Sequence, residues 1–180
     1  MARRNIRISG FGGQGIVLCG YLIGRAAALY DNKMAVLTQS YGPEARGGSC
    51  NACVVIAEEE IGYPLVKDDA DFLIVLSQEG YLKYAHQVNA DALTFIDGDL
   101  VTEVVSDNIK VFAIPATRFA EDLGKKIVAN IIMLGFFSGI TDIISQEALK
   151  KSIASFVKKD FIEINLKALQ KGYEHAKRIK

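Results

Sequence analysis

The chain has 180 residues, half of them hydrophobic, and its 21 basic and 21 acidic side chains cancel. That length supports one domain, read as spanning residues 1–180, with a substantial core; it is short for two. Charge balance leaves no global field for nucleic acid or an anionic membrane, so any anion site must be local.

The N-terminus, Met1-Ala-Arg-Arg-Asn5, runs straight into a β-branched stretch without the apolar core or cleavage site of an export signal, which points to the cytoplasm. A strand over Asn5-Ile-Arg-Ile-Ser9 leads into Gly10-Phe-Gly12-Gly13-Gln14-Gly15. A helix then opens at Ile16-Val17-Leu18, with small residues at Gly20, Gly24, Ala27 and Ala28 for close packing. Strand, glycine turn and helix N-terminus together make an anion site, because unpaired N–H groups and a partial positive charge meet where glycine lets the backbone approach. The same pattern also serves as a packing turn without a ligand.

Absences narrow the ligand. The GxGxxG fingerprint of dinucleotide sites asks for an acid after the second strand to hold the ribose hydroxyls. That strand, Ala35-Val-Leu-Thr-Gln-Ser40, ends in Gln39-Ser40, and Asp31 sits in the turn before it. Gly15 is followed by Ile16-Val17 where a Walker loop needs Lys-Ser/Thr. Nicotinamide dinucleotides and NTP hydrolysis are both disfavoured.

A second loop follows, Ser40-Tyr-Gly-Pro-Glu-Ala-Arg46-Gly47-Gly48. In a right-handed βαβ unit strands one and two are parallel, so both glycine loops leave the same rim of the sheet. Arg46 brings an always-ionised fork suited to phosphate, and Gly47-Gly48 lets the chain pass close to a ligand or partner. A solvated turn with Arg46 paired to Glu44 is the plainer alternative.

Cys19, Cys50 and Cys53 are an odd number of thiols in a chain read as intracellular, so free thiols are expected. Cys50 and Cys53 open the strand running to Ala57, where residues three apart face opposite sides and cannot chelate together. With His86 and His175 as the sole histidines, no metal site is read. Asp68-Asp69-Ala70-Asp71 reads as a solvated turn.

Further strands are predicted over Asp71–Ser77, Ala92–Asp97 and Lys110–Pro115, and helices over Gln78–His86, Thr117–Leu123, Lys125–Gly139, Gln146–Phe156 and Phe161–Lys180. The apolar run Ile127–Thr141 is short for a bilayer and includes Asn130, Ser138 and two glycines, so it reads as a helix buried in a core or between subunits. In the last helix Phe161, Ile164, Ala168, Leu169, Tyr173 and Ala176 mark one docking face. The alternation is α/β: a Rossmann-like, mostly parallel sheet with helices on both faces. No nucleophile–base pattern is present, and no catalytic residue is assigned.

Gly10-Phe-Gly-Gly-Gln-Gly15, Thr38-Gln-Ser-Tyr-Gly-Pro-Glu-Ala-Arg-Gly-Gly48, Ile61-Gly-Tyr-Pro64, Ala70-Asp-Phe-Leu73 and Ile114-Pro-Ala-Thr117 stand in that order. The set resembles the gamma subunit of the 2-oxoacid:ferredoxin oxidoreductases over residues 5 to about 140, and is most similar to the 2-oxoglutarate branch rather than the pyruvate or branched-chain oxoacid branches. The resemblance implies a complex that turns a 2-oxoacid, coenzyme A and two oxidised ferredoxins into acyl-CoA, carbon dioxide and reduced ferredoxin. It also implies thiamine diphosphate between alpha and beta subunits, iron–sulfur clusters in the beta and delta subunits, and no cluster in this chain. Coenzyme A, with a pyrophosphate and a 3′-phosphate, suits a glycine turn lacking a ribose-binding acid. On this reading Gly10, Gly12, Gly13 and Gly15 cradle it, Gln14 and Ser40 add polar contacts, Arg46 meets a phosphate, and Gly47 and Gly48 permit close approach. A scaffold whose glycine loops meet only partner backbones is the competing expectation.

Overall fold

A computed structural model describes residues 3–42, 47–105 and 109–180. Six strands form one sheet: β1 (Arg4–Phe11), β2 (Met34–Tyr41), β3 (Ser49–Ala57), β4 (Ala70–Val75), β5 (Val88–Asp97) and β6 (Lys110–Ile114). The helices are α1 (Ile16–Tyr30), α2 (Gln78–Tyr84), α3 (Ala116–Asp122), α4 (Ala129–Thr141), α5 (Gln146–Phe156) and α6 (Lys159–Ile179), with a 3-10 turn at Lys126–Val128 before α4.

The strand order is β2-β3-β1-β4-β5-β6. β1, β4, β5 and β6 pair in parallel, while β3 lies antiparallel between β1 and β2. β1 and β2 therefore run the same way, as expected, but are not neighbours. The burial of the two strands fits the insertion. β3 is a nearly continuous apolar run buried along most of its length, fit for a central position, whereas β2 ends in polar, exposed residues that suit an edge. The Gly42 N–H donating to the Ser49 carbonyl (2.7 Å) closes the return between them.

Helices cover both faces unevenly. One face joins Ile6, Ile8, Val54, Ile74 and Phe95 to α1, α3, α4 and α5, with α6 behind α4. The other carries, among the described residues, α2 as its one helix, through Tyr81 and Tyr84 against Leu73, Val75 and Ile96. Within the apolar run the stretch from Ala129 to Gly139 is buried and covered by α6 of the same chain, whereas Ile127, ahead of α4, is exposed. The α4–α6 crossing is close because of two glycines: a Cβ on Gly172 would stand 1.9 Å from the Ile132 oxygen, and one on Gly135 2.0 Å from the Leu169 oxygen.

Several expectations shift at element ends, where capping and tertiary contacts outweigh periodicity. Phe161 is 43% exposed, and the buried stripe of α6 instead includes Asn165 and Gly172 beside Ala168, Leu169 and Ala176. Ala28 is exposed on α1. The acidic turn is not merely solvated: Asp71 accepts the Asn5 N–H (2.7 Å) and Asp69 the Asn5 side-chain amide (2.8 Å), which pins the start of β1. β5 begins at Val88, four residues before the expected start. α5 has its predicted bounds, with the Ser145 hydroxyl accepting the Ala148 N–H as cap. Among the described residues no helix is long and apolar enough to cross a membrane.

Candidate ligand site at the glycine loops

The C-terminal ends of β1 and β2 and the start of β3 share one rim of the sheet, and both glycine loops lie there. They touch through their backbones. The Gly12 N–H donates to the Gly48 carbonyl at 2.8 Å, and a Cβ on Gly12 would stand 3.4 Å from the Gly47 nitrogen. Gly47 itself takes φ +69°, a left-handed conformation natural to glycine.

Within the first loop, Gln14 works as an internal staple. Its Oε1 accepts the Phe11 N–H (2.6 Å) and its Nε2 donates to the Leu76 carbonyl (2.7 Å), tying the turn to the end of β4. Gly10 makes room for it, since a Cβ there would meet Gln14 Oε1 at 2.5 Å and Ile16 Cδ1 at 2.7 Å. Gly13 has φ +97° and open space where a side chain would point, and Gly15 caps α1 at φ 74°, ψ 30°. No side chain caps α1 and its first turn holds no acid, so the positive end of the helix faces the rim without an intrachain counter-charge on that turn.

Ser40 sits in register with Asn51 of β3, which is in turn opposite Ser9 of β1. Its hydroxyl accepts from Asn51 Nδ2 (3.2 Å), and the same amide reaches the Tyr84 hydroxyl (3.2 Å). Ser40 is thus two strand spacings from β1, about 10 Å. Arg46 lies outside the described residues. The structure therefore brings together Gly10, Gly12, Gly13, Gln14, Gly15, Gly47 and Gly48, with Ser40 to one side.

Two cavities flank the first loop. One, of about 340 Å³, is walled by Gly13, Gln14, Leu76, Leu100, Thr117, Lys126, Ile127, Ala129 and Asn130. The other, of about 350 Å³, shares Gln14, Leu76 and Leu100 and extends to Phe11, Ser77, Gln78 and Glu79. Thr117 is anchored there by Asp97, a fully buried carboxylate that accepts from Thr117 Oγ1 (2.6 Å) and from the Thr117 N–H (3.1 Å). Sequence reading passed over Asn130, Thr117 and Lys126 as site residues. The available signal was Asn130 itself, an amide inside an apolar run.

The cysteines are separated. Cys50 joins the α1-side core, whereas Cys53 lies on the opposite face with Val55 and Val66. Cys19 is buried under the loop, its thiol donating to the Asn130 carbonyl (3.6 Å), and burial pushes it up to about 12. Burial also raises the Cys50 and Cys53 thiols; the Arg7 guanidinium opposes the rise at Cys53 without cancelling it. None is poised as a thiolate nucleophile. Among the described residues, no group of three or more His, Cys, Asp or Glu side chains is arranged to hold a metal ion.

Known proteins share this fold. Residues 5–175 match the family described as pyruvate ferredoxin/flavodoxin oxidoreductase. The 2-oxoglutarate synthase subunit KorC of Methanocaldococcus jannaschii is 48% identical, covering 98% of this chain and 96% of its own. The crystal structure of a keto/oxoacid ferredoxin oxidoreductase gamma subunit from Geobacter sulfurreducens superposes with TM-score 0.89 at 38% identity, over 99% of this chain and 98% of that one. A 2-oxoglutarate:ferredoxin oxidoreductase from Magnetococcus marinus, solved with 2-oxoglutarate, coenzyme A and succinyl-CoA bound, shares the fold at TM-score 0.88 and 22% identity, over 99% of this chain and 32% of that longer chain. Matched along nearly its whole length, the chain belongs to the pyruvate ferredoxin/flavodoxin oxidoreductase family.

Proposed function

We propose that this chain is the gamma subunit of a cytoplasmic 2-oxoglutarate:ferredoxin oxidoreductase and supplies part of its coenzyme A site. The complex converts 2-oxoglutarate, coenzyme A and two oxidised ferredoxins into succinyl-CoA, carbon dioxide, a proton and two reduced ferredoxins. Identity to the KorC subunit supports 2-oxoglutarate as the oxoacid. Thiamine diphosphate and the iron–sulfur clusters belong to the alpha, beta and delta partners, where thiamine supplies the carbon chemistry. This chain's own share is binding and orientation.

The observation that carries the ligand reading is the Gly12–Gly48 backbone bond, which joins two glycine loops a few residues ahead of the uncapped N-terminus of α1. A pyrophosphate there gains backbone N–H donors and the helix field, and Gly13 leaves it space. The rim also suits docking to the partner subunits, because it exposes Tyr41 (64%) and Ile127 (65%). Coenzyme A bound at a subunit junction would have its phosphates held by this chain and its thiol directed toward the partners.

Calorimetric titration of coenzyme A into the co-expressed complex, wild type and Arg46→Ala, tests the reading. Loss of a charge-assisted phosphate contact weakens binding by about tenfold or more. An Arg46→Ala complex that assembles and binds coenzyme A normally removes Arg46 from the site. Absence of coenzyme A binding at this subunit in the wild-type complex would leave the loops as scaffold.

A further inference from the structure

We propose that Asn130 is the positioning residue of the first glycine loop, setting the direction of its N–H groups toward the ligand phosphates; the inference rests on the coenzyme A reading above. Gly15 is the pivot of that loop. Its left-handed backbone turns the carbonyl toward α4, where it accepts from Asn130 Nδ2 (3.3 Å) as well as from the Cys19 N–H (3.0 Å) of its own helix. A Cβ on Gly15 would stand 2.1 Å from Asn130 Nδ2, so the amide fills the space that any other residue at 15 would claim. A second bond, from the Cys19 thiol to the Asn130 carbonyl, ties the same two turns together.

Core stability does not account for this amide. Asn130 is 2% exposed and surrounded on α4 by apolar residues, and its Oδ1 is buried without a hydrogen-bond partner among the described residues. A buried amide left half-satisfied is worse for folding than an apolar side chain of similar shape. Its placement answers a different need. It stands in the wall of the cavity beside Gly13 and Gln14, next to the pivot that fixes how α1 begins. Hydrogen-bonded there, Asn130 lets a helix of the core hold a loop whose glycines alone would leave it several conformations.

The test uses the co-expressed complex with Asn130→Leu, which keeps the side-chain shape and removes both polar atoms, and Asn130→Ala, which removes the amide altogether. The expected result is a split. Asn130→Leu melts at or above the wild-type temperature, while the KM for coenzyme A rises about tenfold, the effect of one misdirected hydrogen bond to a charged group. Its kcat at saturating coenzyme A and its KM for 2-oxoglutarate stay within twofold of wild type, about the scatter of such measurements. Asn130→Ala raises the coenzyme A KM in the same direction. An unchanged coenzyme A KM in either assembled variant overturns the assignment, as does failure of Asn130→Leu to assemble, since that would make the amide a stability element. Gly13→Asp separates this from the underlying reading: the φ of +97° strains any side chain there, so the assembled complex is compared, and in it the added charge would point into the open space and repel a phosphate. If Gly13→Asp raises the coenzyme A KM and Asn130→Leu does not, Asn130 alone loses its role. If Gly13→Asp also leaves that KM unmoved, coenzyme A does not use this loop and both readings fall.

Discussion

The α4–α6 crossing allows a quantitative prediction. In Gly172→Ala the new Cβ meets the Ile132 carbonyl oxygen at 1.9 Å and the Phe136 nitrogen at 2.8 Å, both of them backbone atoms that no rotamer change can move. An unstrained carbon–oxygen contact needs about 3.3 Å, so α6 must retreat by more than about 1 Å from the helix it covers. Alanine returns about 1 kcal/mol of helix propensity, but overpacking costs up to about 3 kcal/mol and the retreat also opens the apolar seam along Leu169 and Ala176. A net loss of about 2 kcal/mol corresponds to a melting temperature lower by about 4–8 °C for a chain of this size. Gly24→Ala is the internal control, because its Cβ would meet only Ala35 Cβ and Val54 Cγ1, both at 3.9 Å. That ordinary contact leaves the propensity gain intact, so the variant should melt at or above wild type. Thermal unfolding followed by far-ultraviolet circular dichroism reads both. A Gly172→Ala chain as stable as Gly24→Ala would refute the close crossing.

The thiols and His175 give two further tests. With Cys19 pushed up to about 12 and Cys50 and Cys53 also raised by burial, all three stay protonated and shielded at pH 8. A disulfide exchange reagent should label them only when denaturant is added, and prompt labelling of the folded chain would contradict the packing of β3 and α1. His175 lies against Phe119 and Phe136, and burial first, then the nearby Arg178, lowers its pKa below the ordinary imidazole value. The unfolded chain then binds the proton more tightly, so the stability contribution is full above about pH 6.5 and is lost as pH falls below it. His175→Gln should flatten the fall in denaturation midpoint between about pH 7 and pH 5; a slope identical to wild type would assign it to other groups.

How much of this was legible in the sequence depends on the range of the interaction involved. Local rules placed the strand–glycine–helix unit, α5 and the buried character of the run from Ala129 to Gly139, because turn chemistry and apolar periodicity act within a few residues. They also separated Cys50 from Cys53, since alternation along a strand is fixed by the pleat. The resemblance of the glycine loops pointed to the right family because those loops are contiguous motifs.

What tertiary structure alone decided are contacts between residues far apart in the chain. Nothing in the order of residues says that β3 enters between β1 and β2, that Gln14 staples its loop to Leu76, or that the Gly12 N–H finds Gly48. Periodicity likewise put Phe161 on the buried face of α6, whereas the crossing with α4 selected Gly172, the residue small enough to let two backbones meet. Asn130 shows the same limit: 115 residues separate it from Gly15, and only the packing of α4 beneath α1 turns a lone amide in an apolar run into the support of a candidate phosphate loop.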